Sequence, residues 1–379
     1  MRVEVKPELL RWARERAGRS LENLRKKFSH IESWERGEAL PTLKQLEAFA
    51  KATYVPIGYL FLAEPPEEQV PIPDLRTMGG KPLEAPSPDL LDVLYLCQRR
   101  QEWYRDYAKL AREEPRKFVG SMQIGVSIER AAEALRQFLG FNQEVRQNCS
   151  TWTEALRQFI EQAENAGVLV MVSGVVGSNN QRKLDPEEFR GFALADDFAP
   201  LVFINGADTK AAQMFTLAHE LAHLWLGESA LSNVGPDSIP SHQIERWCNQ
   251  VAAELLVPLR ELKNALPQRD PLGEVQNLAR RFKVSTLVIL RRLLDAGRLS
   301  REAFQKAYAQ ELGRLRNLSK SSGGDFYLTQ AARLSRRFAH ALVVSALEGQ
   351  TSFSEAFRML GVKKMATFRE LGSSVGVAA

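Results

Sequence analysis

Two histidines four positions apart around a glutamate, His219-Glu220-Leu221-Ala222-His223, constrain this chain more than any other feature. On an α-helix positions i and i+4 lie on one face, one turn apart, so both imidazoles can reach a single metal ion. The intervening Glu220 points to the edge of that face, where it can take a proton from water held on the metal. The flanks agree with a helix over about 209–226. Asp208 or Thr209 can cap it, Phe215, Ala218, Ala222 and Trp225 give it a buried stripe, and Gly227 can end it.

A catalytic zinc needs a third protein ligand and one position left open for water. A second helix, expected at about 242–256 and capped by Ser241, offers candidates. Its apolar stripe is Ile244, Trp247, Cys248, Val251, Ala252 and Leu255. Glu245 and Glu254 fall on opposite flanks of that stripe, because nine residues at about 100° each amount to half a turn. Only one of them should face the metal. His242 lies three residues before Glu245 on the same side. Spacing alone leaves Glu245, Glu254 and His242 open, and reads Cys248 as a small core residue.

Composition narrows the class. The 379 residues fit two or three domains, and 44% apolar with 26% charged residues excludes wholesale disorder. No apolar run reaches the ~18 residues of a transmembrane helix, and the first ten residues carry charge where a signal peptide needs an apolar stretch. Three widely spaced cysteines, Cys97, Cys149 and Cys248, argue against a disulfide framework. These features together lead to the expectation of a cytoplasmic protein with no membrane segment. The net charge of +5 divides unevenly: +3 over residues 1–64, −8 over 65–270 and +10 over 271–379. Basic ends of this kind are compatible with DNA, although solvated helix faces produce the same pattern.

Along the chain, residues 1–64 read as short helices. Seven prolines between Pro65 and Pro88 cannot sustain a helix and read as an extended tether or a segment laid on a surface. Helices are expected over 89–118, 127–140 and 151–166. The strand signals are GVLVMVSGVV from Gly167, FRGFALAD and APLVFING, the last two forming a hairpin. The rest is helical, with SKSSGG at 319–324 as a linker and a last helical segment over 329–360.

FTLAHELAHLWL followed by IERWCNQVAAELLVP resembles the paired signature of the ImmA/IrrE family of bacterial metallopeptidases, over about residues 89–270. The resemblance implies zinc bound by His219, His223 and Glu245, with Glu220 as general base. It leaves Glu254 and His242 outside the ligand set. It also implies that the strand LVFING precedes the active-site helix, in a fold where an exposed edge strand can pair with an extended peptide substrate. Arg190, Asn205 and Arg246 are candidates for an additional oxyanion donor.

Residues 20–62 resemble an XRE-type helix-turn-helix domain through the pattern W-E-x-G-x-x-x-P-T-x-x-Q-L-E-x-x-A from Trp34 to Ala50. Trp34, Leu40, Leu43, Leu46 and Phe49 are its expected core. Only FSHIES remains where a recognition helix belongs, offering Ser29, His30 and Ser33 as readers of a major groove. Near the other end, ARRFKVSTLVILRRLLDAG resembles a helix-turn-helix pair turning at Val284-Ser285. Arg280, Arg281, Arg291 and Arg292 are its candidate phosphate contacts.

The resulting expectation is a mainly helical α+β protein: an XRE-like domain at 1–64, a proline-rich linker at 65–88, a zincin-like peptidase domain with a small mixed or antiparallel sheet at 89–270, and helical C-terminal domain(s) at 271–379. The implied activity is zinc-dependent cleavage of a protein substrate, an XRE-type repressor or antitoxin, in stress, prophage or toxin–antitoxin control. The alternative is a DNA-binding transcriptional regulator, or an antitoxin-like scaffold, with a structural or sensory zinc site.

Overall fold

The computed structural model describes residues 2–76, 85–233, 242–266, 270–316 and 333–378. The expected linker at 319–324 and the expected cap Ser241 lie outside them. Among the described residues helices dominate, around a four-stranded mixed sheet and a separate two-stranded one, which is the expected α+β class. No described helix is long and apolar enough to cross a membrane. The chain divides into two compact units, one of residues 1–71 with 84–94, the other of residues 72–83 with 95–379.

In the first unit, helices Pro7–Arg16, Leu21–Arg25, Ile31–Glu35 and Leu43–Thr53 and a 3-10 turn Ile57–Phe61 close on a core that includes Leu10, Phe28, Ile31, Trp34, Leu46, Phe49 and Leu60. The motif residues have local jobs. Thr42 and Gln45 form a reciprocal capping box at the start of helix Leu43–Thr53. Arg14 grips the buried Glu35 through two bonds of 2.7 and 3.1 Å. Two expected core residues lie elsewhere: Leu40 and Leu43 are exposed. Leu43 is the first helical residue, and its side chain leans back past the helix start, where no preceding turn exists to cover it. The proline-rich segment begins docked on this unit, because Glu68 pairs with Arg16.

The second unit carries the sheet. We number its strands β1 (Leu169–Ser173), β2 (Val175–Val176), β3 (Asn179–Lys183), β4 (Gly191–Leu194), β5 (Leu201–Asn205) and β6 (Ala230–Ser232). The order is β1-β5-β4-β6, with β1 parallel to β5 and the other pairs antiparallel; β2 and β3 pair separately. The hairpin β4–β5 is the expected one. Strand β5, the LVFING strand, is buried throughout and bonded on both sides, so it is interior. The edge on the site's side is β6, three residues long, which the sequence pattern does not announce.

Helix Lys210–Leu226 packs on β4 and β5 and against helix Gln243–Leu256. Its burial exceeds a stripe: every residue from Gln213 to Trp225 is buried. Thr209 caps its start by accepting from the Ala212 amide, and Gly227, in the left-handed region at φ 73°, ends it. The loop before helix Ile128–Leu139 closes the other end, as the Gly120 and Met122 amides donate to the carbonyls of Leu224 and Trp225. Three arginines then fix the end of helix Gln243–Leu256. Arg136 donates to the Glu254 carbonyl at 3.0 Å, Arg146 to Leu256 at 2.5 Å, and Arg292 to Val257 at 3.0 Å. Cations there satisfy orphan carbonyls and complement the helix dipole.

One hydrophobic core runs from Phe118 to Tyr308 and takes in helices Val275–Phe282, Thr286–Asp295 and Arg301–Arg316. Described residues on both sides of position 270 share this core. Helices Arg336–Leu347, Phe353–Leu360 and Met365–Ser374 end the chain, and the last of these extends helix beyond the expected 329–360. Glu164 holds the first of the three: its carboxylate accepts from the Ser335 hydroxyl at 2.5 Å and the Arg336 amide at 2.9 Å.

Candidate metal centre

Helix Lys210–Leu226 brings His219 and His223 one turn apart, and helix Gln243–Leu256 brings Glu245 across to meet them. His223 Nε2 lies 3.1 Å from His219 Nε2 and 2.9 Å from Glu245 Oε1, and His219 Nε2 lies 3.4 Å from Glu245 Oε2. Among the described residues this is the group of three that can hold a metal ion. All three side chains are at most 1% exposed.

Burial opposes ionisation of Glu245, but His219 and His223 outweigh it and hold its carboxyl well below the usual carboxylate range. Burial lowers His223 and so favours the neutral imidazole that a metal requires. Glu220, fully buried on the same helix, has neither carboxylate oxygen hydrogen-bonded among the described residues. Burial first, and the Glu245 carboxylate second, push its pKa well above the ordinary value, against a smaller lowering effect of the nearby Ser232 hydroxyl. An unpartnered buried carboxyl is costly for a fold.

The strands shape this site closely. A β-carbon placed on Gly191 of β4 would lie 2.6 Å from Thr216 Cγ2 and 3.1 Å from Glu220 Oε1. Only a residue without a side chain lets the sheet come that near the helix. On β6, Ser232 donates to Glu245 Oε1 at 3.3 Å. Sequence reasoning missed Ser232, since a serine in a three-residue strand carries no pattern.

The other candidates separate cleanly. Glu254 faces away from the imidazoles and forms a buried pair with Arg292, while also accepting from the Leu259 amide at 3.3 Å. Arg292 is therefore corrected as a phosphate contact: it is 4% exposed and spent on Glu254, Asp295 and the Val257 carbonyl. Arg280 and Arg281 are exposed, and Arg291 is half-buried and paired with Asp295 at 3.1 Å. His242 is exposed at the start of its helix. Burial, then Glu245, push the Cys248 thiol well above its usual range, which keeps it a neutral core residue.

Of the three oxyanion candidates, Arg190 pairs with Asp208 at 3.4 Å and Arg246 is exposed. Asn205 is buried and engaged with Phe189 and Ala207. In the first unit Ser29 and His30 are exposed and Ser33 is half-buried, around a helix of only five residues, Ile31–Glu35.

Residues 163–294 match the model of the M78 peptidase family, described as an IrrE N-terminal-like domain. That match supports the ImmA/IrrE resemblance and a metallopeptidase-like function for this part of the chain. It extends through both helices that carry Arg280, Arg281, Arg291 and Arg292. Residues 334–374 match a domain of unknown function, DUF8813. No curated protein matches the chain.

Proposed function

We propose that this chain is a zinc-dependent endopeptidase in which His219, His223 and Glu245 hold the metal and Glu220 is the general base. The observation that carries the reading is the convergence of two imidazole nitrogens and one carboxylate, 2.9 to 3.4 Å apart, beside an orphaned buried glutamate. Donors about 2.0–2.1 Å from a tetrahedral zinc stand roughly 3.3 Å from one another, so the spacing fits that ion. Two nitrogens and one oxygen are also a donor set suited to catalytic zinc with one position open.

A bound zinc would supply Lewis acidity at the scissile carbonyl and acidify water. Glu220 takes the proton of the attacking water and returns it to the leaving amide nitrogen, so that water is added across the C–N bond. A carboxyl whose pKa is raised by burial suits that two-way transfer. Glu245 stays anionic beside the imidazoles, and Ser232 orients it.

The substrate reading is a repressor or antitoxin-like regulator of the XRE type. Its support is the ImmA/IrrE resemblance together with the W-E-x-G-x-x-x-P-T pattern in the same chain. Incubating the zinc-loaded chain with a small XRE repressor encoded beside it tests this reading; an intact repressor after exhaustive incubation would remove it.

A second reading, DNA binding, draws on the exposed neighbours Arg280 and Arg281 within a segment of net charge +10. Phosphate-driven binding must weaken steeply with salt. A mobility shift that is absent at low salt, or insensitive to salt, would exclude it.

A further inference from the structure

Strand β6 is the sheet edge nearest the metal centre, and part of the chain already lies on it. Leu231 is flanked by Ser232, whose hydroxyl touches Glu245. On its outer side Leu231 offers one amide and one carbonyl, and both are taken. The Leu231 amide donates to the Pro73 carbonyl at 3.0 Å, and the Leu75 amide donates to the Leu231 carbonyl at 3.0 Å. Asp74 thus bridges Leu231 in parallel register. The segment is pinned further by Arg76, which is buried. Its guanidinium grips Asp74 at 2.7 and 2.8 Å, and it lies 3.6 Å from Glu188.

This is an unusual use of a proline-rich segment. A linker needs no main-chain pairing, and a proline at 73 keeps only the carbonyl, which is the one group the edge uses. Strand addition to a sheet edge is a general mode of peptide recognition, in which the backbone supplies affinity and alternate side chains supply specificity. The metal-centre side chains are themselves at most 1% exposed, so an incoming polypeptide needs a place to dock beside them.

We propose that the outer edge of β6 is the docking strand for an extended polypeptide substrate, and that residues 73–76 occupy it in cis as a substrate-like strap. The inference rests on the peptidase reading above and on the edge-strand pairing the family resemblance implies; what it adds is the strand concerned and the segment of this chain that competes for it. The partner is an extended segment that pairs in parallel through Leu231 and places a guanidinium where Arg76 now faces Glu188. A tethered strap acts at an effective concentration in the millimolar range, so a weak intrinsic affinity suffices to hold the edge closed. The substrate has to displace it.

The test uses the full chain, with Leu75→Pro to delete one pairing amide and Arg76→Gln to release Glu188 without adding a proline. Two readouts are taken: hydrogen exchange at the Leu231 amide, and binding of a labelled peptide with the sequence of residues 69–76, against a scrambled control. In the Leu75→Pro chain the Leu231 amide should exchange at least tenfold faster than in wild type. That chain should also bind the peptide at least tenfold more tightly, with Arg76→Gln moving both in the same direction. Unchanged exchange in both variants, or an opened edge that binds the peptide no better than the scrambled one, overturns the proposal. Neither readout needs hydrolysis, so a chain that cleaves nothing would sink the peptidase reading while leaving this one open to its own test.

Discussion

Gly191 and Glu220 stand so close that a β-carbon on the glycine would lie 3.1 Å from the glutamate's Oε1. The same atom would meet the Phe203 carbonyl at 2.8 Å, which is backbone and cannot swing aside. Gly191→Ala should therefore push strand and helix apart, costing about 1–3 kcal/mol of stability. Peptide hydrolysis should fall at least tenfold with zinc content unchanged, as read by kinetics beside metal analysis. Unaltered turnover would mean that β4 does not position Glu220.

Glu245, and not Cys248, should decide metal affinity. Glu245→Ala removes a proposed ligand and should abolish stoichiometric zinc in a titration by calorimetry. Cys248→Ala leaves the site's donors intact and should retain one zinc per chain. Loss of zinc in the cysteine variant would place sulfur in the ligand set.

The buried pair of Glu254 and Arg292 predicts a stability effect without a binding effect. Arg292→Met leaves a carboxylate stranded in the core, at a cost of about 3–5 kcal/mol. Replacing both partners with apolar residues should cost less than the single change, because no charge is left behind. Denaturant titration of Arg292→Met, Glu254→Leu and the double variant decides it, with additive losses being the adverse result.

Glu164 gives a pH dependence. Burial raises its carboxyl to about 7, against the lowering effect of Ser335 and the Arg336 amide. The folded value exceeds the unfolded value near 4.5, so the folded state holds the extra proton. Its contribution is fully present below pH 4.5 and is lost as pH rises through about 7. Glu164→Gln keeps the hydrogen-bond acceptor without the titration. The variant should gain on wild type by roughly 1–3 kcal/mol between pH 5 and 8. Parallel stability curves for the two proteins would contradict this.

The candidate metal centre was legible in the sequence because its spacing is local: i,i+4 puts two imidazoles on one helix face, and the helical period sets Glu245 and Glu254 on opposite flanks. What the residues left open, the family signature narrowed to Glu245, and the geometry brings that carboxylate to the imidazoles. The turn at Val284-Ser285 was readable for the same reason. Non-local facts were not. The interior place of β5 depends on which strands flank it, and β6 is too short for any period to register. The burial of Arg292 is set by a partner distant in sequence, Glu254, which it meets across 38 positions. The strap at Pro73–Arg76 fits the expectation of a segment laid on a surface, but the sequence could not say which surface.

Glu220→Gln is the most direct measurement of the central claim. It keeps the shape of the side chain and both histidines while removing the base. Zinc content and cleavage of a peptide or repressor substrate should be followed together in wild type and variant. One zinc per chain is expected in both, with hydrolysis in the variant reduced by about 10²–10⁴. Cleavage that persists at the wild-type rate in a zinc-loaded Glu220→Gln chain would contradict it.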